Sequence, residues 1–180
     1  GADTSVLRAL GNAITRHPAA EPAAASAADV FAVVAPATVA QEITIAAAAL
    51  TELVAAGMLD YGAAPRCQSL WFLTARGERV RPTDPPVAPL QAALAAMHRS
   101  VGYEHTDTAF AHLDLPDWAV GDDLARLAVD TMLGEPGEAA LRRHPDGRPQ
   151  RYERSLRLDA AAPEPLPSNA FDDVVITGGA

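Results

Sequence analysis

The stretch Leu70-Trp71-Phe72-Leu73-Thr74 determines how its neighbours must fold. It is a short continuous apolar run, which predicts a strand buried on both faces of a sheet. Residues 29–35, Asp-Val-Phe-Ala-Val-Val-Ala, form a second run of this kind, and Pro36 ends it. Between the two runs, apolar residues recur at helical spacing from Thr38 to Ala56, and Gly57 is a typical helix stop. The pattern predicts a strand-helix-strand unit.

The same alternation continues toward the carboxyl terminus. Prolines at 82, 85, 86 and 89 predict a loop. The elements predicted after it are a helix from Leu90 to Val101, a strand from Thr108 to Leu115, and an amphipathic helix that Asp117 or Gly121 opens and that runs to Leu133. Strands that alternate with helices indicate a mostly parallel sheet with right-handed crossovers.

Weaker sequence patterns predict the elements after residue 137 and before residue 29. The segments Glu138 to Arg143 and Arg151 to Leu158 flank an Asp-Gly turn and predict a hairpin. We therefore expect an α/β fold: a degenerate Rossmann-like, mostly parallel sheet with helices on both faces, a C-terminal hairpin and a final strand. The expected divisions are an N-terminal helix (Thr4 to His17) and linker in residues 1–28, the Rossmann-like unit in 29–159, and a Pro-rich linker and last strand (Val174 to Gly179) in 160–180.

Charge and composition exclude several classes of function. The formal net charge is -9, and all 14 basic residues are arginine because the sequence contains no lysine. An acidic surface repels phosphate backbones, so we expect no nucleic-acid partner. The absence of lysine excludes lysine-dependent chemistry within this chain.

Cysteine usage and hydropathy indicate the compartment. Cys67 is the single cysteine and cannot form an internal disulfide, so we interpret it as a buried or half-buried structural thiol in a reducing, cytoplasmic setting. No apolar run reaches the roughly 20 residues of a membrane span. The sequence begins Gly1-Ala2 without methionine, and we expect it to be a segment of a longer protein.

Residues 48–78 also resemble the pattern of a winged-helix repressor. In that fold the recognition helix presents Arg, Lys, Ser or Asn to phosphates and bases, whereas Thr44 to Ala49 offers almost only alanine and isoleucine. A winged-helix regulator or a docking and dimerisation module stays open as an alternative, although the missing basic residues disfavour DNA binding.

No set of side chains in the sequence has the spacing of a catalytic or metal site. The histidines are scattered, at His17, His98, His105, His112 and His144. The adjacent acids Asp122-Asp123 and Asp172-Asp173 lie at the starts of predicted elements, where helix capping explains them. Ser100, Tyr103 and Glu104 lack a polarising partner at defined spacing. We therefore predict no catalytic residues and no metal ligands.

The last residues, Val174-Val175-Ile176-Thr177-Gly178-Gly179-Ala180, are similar to the first strand and glycine turn of a nucleotide-binding βαβ unit. The fingerprint is cut before its third glycine and its helix. Because the helix N-terminus supplies the pyrophosphate site, Gly178 and Gly179 alone are not expected to hold a cofactor.

The order of these segments resembles the ketoreductase region of modular polyketide synthases, over about residues 29 to 180. Four stretches carry the likeness: Leu70 to Gly77 with its Thr-Ala-Arg-Gly turn, Ala88 to His105 with its final Glu-His, Ala111 to Leu115 with its Asp-Leu pair, and Glu138 to Arg142 with Gly147 to Tyr152. Two departures are the inserted Ala75 and Thr106 in place of proline.

In that family a noncatalytic structural subdomain precedes a catalytic short-chain dehydrogenase subdomain. The resemblance implies that this chain is the structural subdomain and that the reductase's serine, tyrosine and lysine lie beyond Ala180. It also implies NADPH for the neighbouring subdomain, other synthase domains as partners, and an indirect relation to acyl carrier protein in antibiotic-type biosynthesis.

Overall fold

The computed structural model describes residues 30–37, 42–60 and 67–155. The strands are β1 (Val30–Val34), β2 (Ser69–Ala75), β3 (Ala109–Leu115), β4 (Glu138–Arg143) and β5 (Pro149–Glu153). The helices are α1 (Ile43–Ala55), α2 (Pro89–Glu104) and α3 (Asp122–Met132). The predicted helix at 4–17, the final strand at 174–179 and the glycine turn Gly178-Gly179 lie outside the described residues.

The five strands form one sheet in sequential order, β1-β2-β3-β4-β5. The first three pairings are parallel, and β4 with β5 is antiparallel. The predicted mostly parallel α/β sheet with a C-terminal hairpin is therefore confirmed. Pro149 opens β5 two residues before the predicted start, which an edge strand tolerates because its first residue needs no ladder N–H.

Burial follows the order of strands. Every residue of β2 is buried, and Trp71, Phe72 and Leu73 are completely covered. By contrast β1, expected to be buried on both faces, is a sheet edge among the described strands, and its described side chains are only half-buried.

Local signals explain where the helices begin and end. Pro89 is the first residue of α2, where its missing N–H costs nothing. Gly57 follows α1 at φ +78°, and Met58 N donates to Leu53 O while Gly57 N donates to Val54 O. This is a Schellman cap, and it confirms the predicted stop at Gly57.

Helices cover both faces of the sheet. The face that carries Phe72, His112 and Asp114 receives α2, because the ring of His98 on α2 stacks on Phe72. On β4 this face continues through Arg142, which pairs with Asp114.

Helix α3 lies on the opposite face. Its Asp123 pairs with Arg143, whose side chain alternates with that of Arg142. The hand of the individual crossovers stays a prediction.

The buried centre of β2 gives a first prediction. Replacing Trp71 by alanine removes a large, fully covered side chain, and we expect a loss of about 3–5 kcal/mol in the free energy of unfolding. Urea denaturation measures it. The control is Tyr103→Ala, at a side chain that is 86% exposed, which should stay within about 0.5 kcal/mol of the wild type. Equal midpoints for the two variants would contradict the burial of β2.

Candidate functional site

The polar residues of the sheet converge beside the loop that follows β2. In open α/β sheets, ligands bind outside the carboxyl ends of the strands, where the strand order reverses. The described strands run in sequential order, without such a reversal. The carboxyl ends of β2 and β3 are instead covered by residues 76–88, and two clusters of charged side chains lie beneath and beside this loop.

The first cluster is centred on Arg142, which is 3% exposed. Its Nε donates to Asp84 Oδ2 at 2.9 Å, and its Nη2 donates to Asp114 Oδ2 at 2.7 Å. The remaining donors reach the carbonyl oxygens of Glu78, Asp114 and Leu141. All five N–H groups of the guanidinium are thus used, which a buried charge requires.

The two carboxylates of this cluster have further donors. Asp114 Oδ1 accepts from Thr74 Oγ1 at 2.6 Å and from Gly77 N at 2.7 Å. Asp84 accepts from the backbone of Val80 and Arg81 and pairs with the side chain of Arg81. Burial alone would raise the pKa of Asp84, but the hydrogen bonds from Arg142, Val80 and Arg81 outweigh it and lower the pKa to about 2.

The second cluster joins Glu78, His112 and Glu138, from the loop after β2, from β3 and from β4. His112 Nδ1 lies 3.4 Å from Glu138 Oε2, and Arg99 of α2 contacts both glutamates. Burial would raise the pKa of Glu138, yet the hydrogen bonds and charges of His112 and Arg99 lower it to about 2. Arg154 adds a weaker contact, 3.7 Å from each glutamate.

An open cleft of about 190 Å³ lies against this second cluster. Its lining includes all three of Glu78, His112 and Glu138, together with Tyr152 and Arg154 from the region of β5. No described helix covers β4 and β5 on this face, which leaves the cleft open to solvent.

The other histidines have structural surroundings. His98 is buried between Phe72 and Phe110, and its Nε2–H donates to Ala111 O at 2.9 Å. Burial lowers the pKa of His98 to about 4, so the ring is neutral at neutral pH. His105 stacks on Phe110, and His144 pairs with Asp146 in the exposed hairpin loop. His17 lies outside the described residues.

The remaining candidates stay apart. Asp122 and Asp123 occupy the first turn of α3, as predicted, with Gly121 at the N-cap. Ser100 Oγ donates to Ala96 O within α2, and Tyr103 points to solvent at the end of that helix. Cys67 is half-buried, and burial raises the pKa of its thiol. Asp172 and Asp173 lie outside the described residues.

Glu78, His112 and Glu138 are far apart in the sequence, and their spacing did not predict that they meet. The cluster depends on the register that sets His112 opposite Glu138. A signal was present, because a histidine within a buried strand needs a polar partner on the adjoining strand.

Comparison with known proteins identifies no relative. No family model, no curated protein and no solved structure matches this chain. Among the described residues, none of the helices is both long and apolar enough to cross a membrane.

The pKa of Asp84 leads to a pH prediction. A carboxyl whose pKa falls from 3.8 to about 2 on folding stabilises the fold above pH 4, and that stabilisation is lost as the pH falls through 2. The contribution amounts to about 2 kcal/mol. Urea unfolding between pH 6 and pH 2 should show a smaller loss of stability for Asp84→Asn than for the wild type. Asp123→Asn, at a solvent-exposed pair, is the control and should follow the wild type more closely. If the free energy of unfolding of Asp84→Asn fell with pH as steeply as that of the wild type, the low pKa of Asp84 would be contradicted.

Proposed function

We propose that this chain is the noncatalytic structural subdomain of a polyketide-synthase ketoreductase. It would support a neighbouring short-chain dehydrogenase subdomain that uses NADPH to reduce β-ketoacyl groups presented by an acyl carrier protein in the cytoplasm. Two features of the described residues support this proposal: an uncovered apolar helix face and a sheet edge filled by internal ion pairs.

The outward face of α1 is the observation that carries the proposal. Ile43, Ile45 and Val54 are 73%, 56% and 41% exposed. Glu52 is the single charged residue between Ile43 and Ala55. A helix that is apolar on most of its sides is normally buried, and contiguous exposed apolar surface usually marks an interaction site.

Two of the three exposed side chains, Ile43 and Val54, share one flank of the helix, and Ile45 lies on another side. Ile43, Ala47 and Val54 are separated by four and seven residues, so they form a stripe along α1 beside the half-buried Leu50. The adjoining side, through Ala46, Ala49 and Leu53, packs toward the core. A neighbouring domain could cover this stripe without any change in the described core.

The four stretches that resemble the ketoreductase family meet in the polar clusters. Thr74 and Gly77 bind Asp114, and Asp114 binds Arg142. Arg99 of the second stretch pairs with Glu138, which begins the strand that carries Arg142. Packing of the loop onto the sheet therefore accounts for these residues without a catalytic role, as expected of a structural subdomain.

The same face of α1 favours a second candidate, a module that pairs with a copy of itself. Self-association would bury Ile43 and Val54 symmetrically, and size-exclusion chromatography of the isolated chain distinguishes a dimer from a monomer. The winged-helix alternative is disfavoured, because residues 48–59 and 73–78 belong to α1, its cap and the end of β2 in a parallel sheet.

The proposal predicts that the isolated chain does not bind NADPH. The described strands run in sequential order, so they lack the reversal at which a dinucleotide crevice forms, and residues 76–88 cover the carboxyl ends of β2 and β3. Calorimetric titration of NADPH into the chain should give no heat of binding, whereas the catalytic subdomain should bind it. Saturable binding to the isolated chain would overturn the assignment of a noncatalytic role.

A second prediction tests the docking face. Mixing the chain with its catalytic subdomain should raise the melting temperature of that subdomain, because a partner that binds only the folded state stabilises it. Ile43→Glu should remove most of this rise, since it places a charge in an apolar contact. The catalytic subdomain is expressed separately, from the ketoreductase to which the proposal assigns this chain.

The matched control is Leu133→Glu, because Leu133 is 67% exposed at the end of α3, on the other face of the sheet. Both variants should unfold within about 0.5 kcal/mol of the wild type. The proposal fails if the wild-type chain leaves the melting temperature unchanged, or if the two variants reduce the rise equally.

A further inference from the structure

We propose that Glu78, His112 and Glu138 form a binding site for a divalent transition metal ion of the zinc class. One ligand atom from each residue lies within 4.8 Å of the other two. The residues come from the loop after β2, from β3 and from β4, so the fold itself brings them together. This inference is independent of the proposed scaffold role.

The hydrogen bonds of Thr74 determine which nitrogen of His112 faces the site. The hydroxyl of Thr74 has one hydrogen, and it is donated to Asp114 Oδ1 at 2.6 Å. Thr74 Oγ1 must therefore accept from His112 Nε2, 2.8 Å away. Protein ligands of metals are commonly oriented in this way, with one ring nitrogen hydrogen bonded and the other on the ion. An ion bound here would replace the proton between His112 Nδ1 and Glu138 Oε2, and the lone pair of Nδ1 would then be directed at the ion.

The separation of the two atoms fits a shared ion. His112 Nδ1 and Glu138 Oε2 are 3.4 Å apart, longer than the usual N–H···O range of about 2.7–3.2 Å. Two ligands bound to one tetrahedral zinc at about 2.0–2.1 Å are about 3.3 Å apart. His112 is 1% exposed, and its position is fixed by β3. Glu78 is 26% exposed on a loop, so its carboxylate can approach by a change of rotamer.

The adjoining cleft provides space for the ion. All three residues line it, and its volume of about 190 Å³ leaves room for water on the open side. Three protein ligands with a fourth position open to solvent is a recurrent zinc arrangement. One imidazole with two carboxylates suits zinc or cobalt better than calcium or magnesium, which prefer oxygen ligands alone.

Arg99 is the competitor for this position. Its Nε donates to Glu138 Oε2 at 2.9 Å, and its Nη2 contacts Glu78 Oε1. The guanidinium thus neutralises the two carboxylates that an ion would use. Metal binding has to displace Arg99 from Glu138 Oε2, so removing the guanidinium should raise the affinity for the ion.

The experiment is titration of the metal-free, untagged chain with Zn²⁺ by calorimetry and with Co²⁺ by visible absorption. We expect one ion per chain and a cobalt spectrum without the thiolate charge-transfer band that Cys67 would cause. His112→Asn and Glu78→Gln should each weaken binding by about tenfold or more. Arg99→Gln should strengthen it by about tenfold, because it removes a cation a few ångströms from the ion.

The control variant is His144→Asn, which removes an exposed histidine beside Asp146 and should leave the affinity unchanged. Circular dichroism establishes that each variant is folded. If His112→Asn does not fold, Glu78→Gln tests the site in its place. The proposal is overturned if neither the wild type nor Arg99→Gln binds Zn²⁺, if Arg99→Gln binds more weakly than the wild type, or if binding depends on His144 or Cys67 instead of Glu78.

Discussion

The buried guanidinium of Arg142 is the interaction on which the rest of this structure depends. It joins Asp84 of the loop to Asp114 of β3, and all its donors are used. A buried arginine with unpaired hydrogens would cost several kcal/mol, so this position requires the loop to return over the sheet. Gly77 N and Thr74 Oγ1 bind the same Asp114, which fixes the turn at the end of β2. The loop thereby covers the carboxyl ends of β2 and β3.

This arrangement determines what the sheet edge can do. In many α/β proteins the carboxyl ends of the strands are open and bind ligands. Here the ends of β2 and β3 are tied to the loop by internal ion pairs. The exposed apolar surface of the described residues includes the stripe on α1, and a polar cleft opens beside Glu78, His112 and Glu138. The described residues therefore present an exposed apolar stripe and a small polar cleft instead of a nucleotide crevice.

The strands and helices could be predicted from sequence because each depends on local patterns. The run from Leu70 to Thr74 and the stop at Gly57 needed no knowledge of distant residues. The clusters could not be predicted in this way, since Arg142 and Asp84 are 58 residues apart and meet only once the parallel register is set. The position of β1 at the edge of the described sheet also depends on the order of the strands, and an apolar run in the sequence does not predict that order.

The free energy of unfolding of Arg142→Met tests this account most directly. Methionine fills a similar volume but leaves Asp84 and Asp114 buried without their shared cation. The account predicts a loss of about 3–5 kcal/mol by urea denaturation at neutral pH, together with faster hydrogen exchange at the amides of Gly77 and Val80, whose acceptors are these two carboxylates. Unchanged stability with unchanged exchange at both amides would contradict it.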